Sequence, residues 1–136
     1  FPDIDHEKLL KMCLIHDLGE AFTGDIPSFD KSAADEEMES RLLSDWAASL
    51  PEPFATEMTA LYAEMDALES TEAKIYKALD NMEALIQHNE ADLSTWIPLE
   101  YELQMTYGTD KAAFSDYLTA LRDTVREDSK IKITMK

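Results

Sequence analysis

The chain has 136 residues, of which 45% are hydrophobic and only three are glycine, a composition typical of a mainly helical globular domain. Its 12 basic and 29 acidic residues give a formal net charge of −17. Such a charge excludes nucleic acid polymers and anionic membranes as partners, because both are bound mainly through Lys and Arg. No apolar run approaches the roughly 20 residues that cross a membrane, and the single cysteine, Cys13, favours a reducing, cytoplasmic location.

Hydrophobic spacing predicts helices throughout the chain, and we assign residues 1–136 to one all-α domain. The helices of the first half are predicted as follows. The first helix is predicted from about His6 to Phe22, and the loop "GDIPSFDK" follows it. Ser32 and Asp35 are predicted to form a capping box for the next helix. After the "LPEP" turn, a further helix begins near Phe54.

The second half of the chain is predicted to be helical as well. A long helix begins near Ser70 or Thr71 and carries the segment "STEAKIYKALDNMEALIQHNE". Pro98 is predicted to start a short helix that Gly108 ends. The last long helix follows, and the basic tail "KIKITMK" is predicted to be frayed or strand-like.

The first predicted helix carries polar side chains in an apolar setting. Its hydrophobic residues from Leu9 to Leu18 fall all round the helix, which predicts that it is buried. A buried carboxylate is destabilising by several kcal/mol unless a partner compensates it. His16 and Asp17 lie in this run, and Glu20 lies four residues after His16, on the same predicted face. His16 could be an ordinary hydrogen-bonded core histidine.

A divalent cation would also explain this group of side chains. Three acids near one imidazole, Asp17, Glu20 and Asp25 beside His16, cannot all ionise without a positive charge close by. Imidazole and carboxylate ligands together favour Mn, Fe, Co, Ni or Zn over Ca.

The segment "HDLGEAFTGDIP" resembles the central motif of the HD-domain metal-dependent phosphohydrolases, in the branch similar to 5′-deoxynucleotidases. That branch has the pattern His-Asp-x-x-Glu-x-x-x-x-Asp, which His16, Asp17, Glu20 and Asp25 match at every spacing. It also has a later Asp in a helix of the form "K-x-L-D-x-x-E-x-x-I-Q". The segment "KALDNMEALIQ" supplies this residue as Asp80.

The resemblance implies an HD-domain helical bundle that forms a homodimer and binds a divalent metal ion: Mn, Co, Fe, Ni, Zn or Mg. The implied metal ligands are His16, Asp17 and Asp80. The implied reaction is hydrolysis of the 5′-phosphomonoester of a deoxynucleoside monophosphate, or of a similar small phosphate ester, by a metal-activated water. Glu20 is assigned to orienting that water and Asp25 to protonating the leaving oxygen or positioning the substrate, although these two roles could be exchanged.

The chain departs from the family pattern at one metal ligand, a histidine on a helix upstream of the His-Asp pair. His6 is too close to His16 to be that ligand, and His88 is predicted to be an exposed residue two turns beyond Asp80. We therefore expect either that the N-terminal helix of the family is absent from this sequence or that the chain is a degenerate relative. A catalytically weak or inactive HD-domain protein that binds metal or nucleotide in a regulatory role is the alternative function. A structural helical interaction module is the third.

Overall fold

The computed structural model describes residues 1–26 and 30–135, and every regular element in these ranges is a helix. The all-α prediction is therefore confirmed. Part of the predicted loop "GDIPSFDK" and the last residue of the tail lie outside the described residues. The chain divides into two compact units, Phe1–Ala73 and Lys74–Lys136. Among the described helices, none combines the length and the hydropathy that a membrane crossing needs.

The first unit contains four helices. They are α1 (His6–Ile15), α2 (Glu20–Thr23), α3 (Ala33–Ser49) and α4 (Phe54–Ala67). The predicted capping box is confirmed: the Ser32 hydroxyl accepts from the Asp35 amide, and the Asp35 carboxylate accepts from the Ser32 amide at 3.0 Å. Both contacts satisfy amides that the first turn of α3 leaves without helical partners.

The single helix predicted from His6 to Phe22 is wrong, because the helix breaks after Ile15. Four amides in this stretch bond three residues back instead of four: Leu18 to Ile15, Glu20 to Asp17, Ala21 to Leu18 and Phe22 to Gly19. Bonds of this kind form tighter 3₁₀-type turns, so the α-helical hydrogen bonding of α1 does not continue past this point. His16 and Glu20 therefore belong to a turn and to the following helix, rather than to one face of a continuous helix.

The predicted burial of α1 on all sides is also wrong. Met12 is fully buried, but Leu10 and Leu14 are 64% and 81% exposed. Packing covers one side of α1, where the hydroxyl of Tyr62 donates to the Ile15 carbonyl at 3.0 Å. The number of hydrophobic residues in this segment therefore predicts more burial than the structure shows. Their spacing in the sequence cannot show which side of α1 another helix covers.

The second unit carries the greater part of α5 (Thr71–Glu90) and the elements after it. These are a 3₁₀ turn (Leu93–Thr95), α6 (Pro98–Thr106), α7 (Thr109–Ala112) and α8 (Asp116–Thr134). Ser70 accepts from the Ala73 amide at 3.2 Å, which confirms the predicted start of α5. Pro98 is the first residue of α6, as predicted.

The prediction that the tail is frayed or strand-like is wrong, since α8 continues to Thr134. Ser129, near the start of that tail, is completely buried, and its hydroxyl lies within 3.0 Å of Gln104 Oε1 on α6. The Met135 amide still donates to the Ile131 carbonyl, so helical hydrogen bonding extends to the end of the described chain. The tail therefore continues a helix whose preceding turn is anchored by the buried Ser129, and this outweighs the weak helix propensity of its β-branched residues.

Buried arginine joins two helices of the second unit. Arg122 is only 1% exposed. Its guanidinium donates to the carbonyls of Gln104 and Tyr107 at 2.9 and 2.8 Å. Arg126 donates to the Met105 carbonyl at 2.9 Å. These carbonyls lie at the C-terminal end of α6, where a cation is favoured by the helix dipole and by the unsatisfied acceptors.

Candidate functional site

The motif residues of the first unit lie in the turn between α1 and α2 and just beyond α2. His16 and Asp17 follow the last residue of α1, and Glu20 is the first residue of α2. Gly24 ends α2 with a φ of 83°, a left-handed conformation that favours glycine, and Asp25 comes next. The motif spacing therefore corresponds to a short, tightly turned segment that presents four polar side chains.

The imidazole of His16 is held by its own backbone. Nδ1 lies 2.8 Å from the Cys13 carbonyl oxygen. A carbonyl only accepts, so Nδ1 carries a proton and donates it, and Nε2 is the ring nitrogen that could bind a metal. Histidines that bind metals are oriented in this way by a backbone carbonyl on the other ring nitrogen.

The other ring nitrogen of His16 lies close to a carboxylate. His16 Nε2 lies 3.0 Å from Asp17 Oδ2. Two ligand atoms that each bond a metal at about 2.1 Å are separated by about 3 Å when they occupy adjacent positions. Nε2 and Oδ2 are therefore spaced so that both could bind one divalent cation.

Asp17 is not the buried carboxylate that the sequence predicts, since its side chain is 61% exposed. The argument that a cation is needed to compensate a buried charge therefore does not apply to Asp17. The fit to a cation depends instead on its contact with His16. Within the first unit, the structure brings together two of the three predicted metal ligands, His16 and Asp17.

Asp80 lies in the middle of α5 and is half-buried. Lys77, one turn earlier on the same helix, donates from Nζ to Asp80 Oδ2 at 2.8 Å. The ammonium neutralises the carboxylate and fixes one of its two oxygens. The sequence carries Lys77 in the segment "KALDNMEALIQ", but this role could not be inferred from spacing alone.

The two catalytic candidates differ in their surroundings. Glu20 is half-buried, and burial, followed by the charges of Asp17, Asp25 and Glu39, raises its pKa above the ordinary value. Lys31 opposes this increase. Asp25 is exposed. Glu20 is therefore the candidate whose surroundings favour binding a proton.

Two polar residues that act on Glu20, Glu39 and Lys31, were not predicted from the sequence. Glu39, on α3, accepts from the Thr23 hydroxyl at 3.2 Å and pairs with Lys31 at 2.6 Å. Nothing in the sequence marked Glu39, because it follows the acidic first turn of α3 and resembles any solvated glutamate. Its position became evident only from the packing of α3 against the α2 turn.

His88 is not the fully exposed residue that the sequence predicts. It is half-buried on α5, with its ring centroid 5.9 Å from that of Trp96. Nε2 lies 3.5 Å from Glu100 Oε1.

Comparison with known proteins identifies similar sequences over most of the chain. The family model described as HD domain matches residues 1–122. The chain is 31% identical over 90 residues to the 5′-deoxynucleotidase HDDC2 of Dictyostelium discoideum, covering 65% of this chain and 47% of that protein. It is 33% identical over 89 residues to HDDC2 of Danio rerio, covering 64% of this chain and 44% of that protein.

A fungal relative extends the alignment. The chain is 28% identical over 113 residues to the 5′-deoxynucleotidase hdd1 of Schizosaccharomyces pombe, covering 70% of this chain and 56% of that protein. The chain thus spans about half the length of the curated relatives it matches. No solved structure was found to match it. The resemblance inferred from the His-Asp motif is confirmed, and the chain belongs to the HD domain family.

Proposed function

We propose that the protein is a metal-dependent phosphohydrolase that cleaves the 5′-phosphomonoester of deoxynucleoside monophosphates or similar small phosphate esters. The names of its relatives, 5′-deoxynucleotidases, support the reaction and the substrate class. The contact of His16 Nε2 with Asp17 Oδ2 at 3.0 Å is the observation that carries the proposal, because it joins two proposed metal-ligand atoms. The charges of Asp17 and Asp25 also act on Glu20, which supports one acidic cluster.

His16, Asp17 and Asp80 would hold the ion. When bound, a divalent cation lowers the pKa of a coordinated water and stabilises negative charge that develops on phosphoryl oxygens. Mixed nitrogen and oxygen ligands favour Mn, Co, Fe, Ni or Zn, and Mg remains a candidate because two of the three ligands are carboxylates.

Charge balance gives an independent reason for a cation. A phosphate monoester is negative, and so is a protein with a formal charge of −17. Two lysines lie near the proposed site residues, but both are already paired. Lys31 pairs with Glu39, and Lys77 pairs with Asp80. The substrate would therefore meet a repulsive field unless a further positive charge were bound.

Glu20 and Asp25 would move the protons. In the reaction, a water oxygen bonds to phosphorus, the bond from phosphorus to the ester oxygen breaks, and the products are inorganic phosphate and an alcohol. Glu20 would orient the attacking water and accept its proton, a role that suits a carboxylate whose pKa is raised. Asp25, which is exposed, would protonate the leaving oxygen or position the substrate.

The proposal is tested with purified protein stripped by a chelator and assayed for phosphate release from a panel of deoxynucleoside 5′-monophosphates. Turnover should be absent in chelator and return with Mn²⁺ or Co²⁺. His16→Asn and Asp80→Asn should each lower kcat at least about 100-fold and weaken Mn²⁺ binding about 10- to 100-fold. His6→Asn and Asp66→Asn are matched controls, because both residues are exposed and lie outside the motif.

Other outcomes would favour the alternatives. Full turnover by Asp80→Asn with normal metal content would contradict the ligand assignment. Binding of Mn²⁺ without turnover of any phosphate ester would favour a regulatory HD-domain protein. Failure to bind any divalent ion would favour a helical interaction module.

A further inference from the structure

We infer that Glu39 is the positioning residue that holds the α2 turn, and with it Glu20, in place against α3. This inference rests on the proposed role of Glu20 in the hydrolysis. Glu39 itself lies on α3, outside the His-Asp motif, and its contacts with three separate parts of the chain support it.

The first contact is steric. Gly19 is buried and directly precedes α2, and a β-carbon built on it would lie 2.7 Å from Glu39 Cγ and 2.9 Å from Oε1. A residue larger than glycine at position 19 would therefore require the Glu39 side chain to shift. Backbone conformation does not require glycine here, since Gly19 has right-handed helical angles of −58° and −36°. Glycine is favoured at this position because the Glu39 side chain occupies the space that a β-carbon would need.

The second and third contacts are polar and share one atom. Glu39 Oε2 accepts from the Thr23 hydroxyl at 3.2 Å and from the Lys31 ammonium at 2.6 Å. The Glu39 and Lys31 side chains are only 18% and 16% exposed, which makes their ion pair less screened than a surface pair. One carboxylate therefore fixes Gly19, before α2, and Thr23, at its end.

Glu20 lies between these two anchors. It is the first residue of α2, directly after Gly19 and three residues before Thr23. Loss of Glu39 removes both anchors, and the Glu20 carboxylate then moves relative to His16 and Asp17. A displacement of about 1 Å can lower a rate about 100-fold.

A double-mutant cycle tests the steric contact without any assay of activity. Gly19→Ala should lower the melting temperature of the metal-free protein by at least about 3 °C, because the added methyl group overlaps Glu39. In the Glu39→Ala background the same substitution should raise it, since alanine is favoured at helical angles once the space is open. An equal loss in both backgrounds would overturn the inference.

Kinetics with Mn²⁺ and a deoxynucleoside 5′-monophosphate test the positioning role. Glu39→Ala should lower kcat at least about tenfold and leave KM within about threefold, because Glu39 does not bind the substrate. Binding of Mn²⁺ alone should stay within about threefold. Glu39→Gln, which retains the volume and an acceptor for Thr23, should keep more turnover than Glu39→Ala and also provides a variant expected to fold. Glu37→Ala, exposed on the same helix, is the control.

The results separate the two proposals. If Glu20→Gln abolishes turnover while both Glu39 variants retain normal kcat, Glu39 does not position Glu20 and the inference is wrong. If Glu20→Gln itself retains normal turnover, the proposed role of Glu20 is wrong, and the inference falls with it even if the melting data show the steric contact. Reversal of the Gly19→Ala effect together with a loss of kcat confined to Glu39 variants supports the inference.

Discussion

Glu20 shows how one side chain acquires its properties from its neighbours. It is half-buried at the start of α2, and burial is the largest cause of its raised pKa. The charges of Asp17, Asp25 and Glu39 add to this effect, and Lys31 reduces it. The residue that would accept a proton in the proposed reaction therefore lies where its charged form is disfavoured.

Glu20→Gln should stabilise the metal-free protein at neutral pH. A carboxyl whose pKa is higher in the folded state than its ordinary value of 4.5 stabilises the fold below that value, and this contribution is lost as the pH rises through the folded-state pKa. At pH 7 the ionised side chain thus lowers the free energy of unfolding. Replacing it should raise that free energy by roughly 0.5 kcal/mol, a small effect because the group is partly solvated.

Urea denaturation in chelator at pH 7 and pH 5 measures the effect. The gain should shrink at the lower pH, where Glu20 in the wild type begins to take up a proton. Glu37→Gln, at an exposed position of α3, should show no such change with pH. An equal gain at both values would mean that charge is not its cause.

At the level of the helices, the turn after α1 depends on α4. The hydroxyl of Tyr62, on α4, donates to the Ile15 carbonyl, and Ile15 is the last residue of α1. Burial raises the pKa of Tyr62 to about 12, so the donor stays protonated at physiological pH. His16 follows directly, and its ring is fixed to the Cys13 carbonyl of the same helix. One contact between helices thus supports the backbone that carries the metal-ligand candidates.

Tyr62→Phe should lower the free energy of unfolding by about 1 kcal/mol, because a partly buried carbonyl loses its partner. Mn²⁺ binding should weaken as well, since the turn that carries His16 and Asp17 becomes less well ordered. Chemical denaturation and titration calorimetry measure the two effects. Tyr117→Phe on α8, where the residue is 71% exposed, should change neither. Unchanged stability in Tyr62→Phe would show that water replaces the lost donor.

Across the whole molecule, charge is the dominant property. The 29 acidic residues far outnumber the 12 basic ones, and several lysines are paired with acids within the first unit, among them Lys8 with Glu64 and Lys11 with Glu57. Repulsion among the remaining acids destabilises the compact state. Both a bound cation and added salt should reduce this repulsion, although by different mechanisms.

The metal-free protein should become more stable when NaCl is raised from 0.01 to 0.15 M, because the Debye length falls from about 30 to about 8 Å. MnCl₂ at matched ionic strength should add a further increase, about 2.7 kcal/mol at a hundredfold excess over Kd. Thermal melts of the wild type and His16→Asn separate the two effects. The variant should keep the response to NaCl and lose most of the response to Mn²⁺. If both responses persist in the variant, Mn²⁺ acts only by screening.

The sequence by itself determined the helical class, the start of α3 at the Ser32 capping box and the start of α6 at Pro98. It also carried the motif that indicates the family, and its assignments of His16, Asp17, Glu20, Asp25 and Asp80 remain predictions. These features depend on residues within about four positions of one another or on a fixed spacing of chemical groups. The local sequence is therefore sufficient to predict them.

Only the tertiary structure decided where α1 ends, how far α8 extends and which carboxylates are buried. Leu10 and Leu14 are exposed although they are apolar, and Glu39 is largely covered although it is charged. Such outcomes depend on which helix packs against which side, and the partners are distant in sequence: Glu39 is twenty residues from the Gly19 it covers. Burial is a property of these non-local contacts, and hydrophobic spacing along one segment does not contain it.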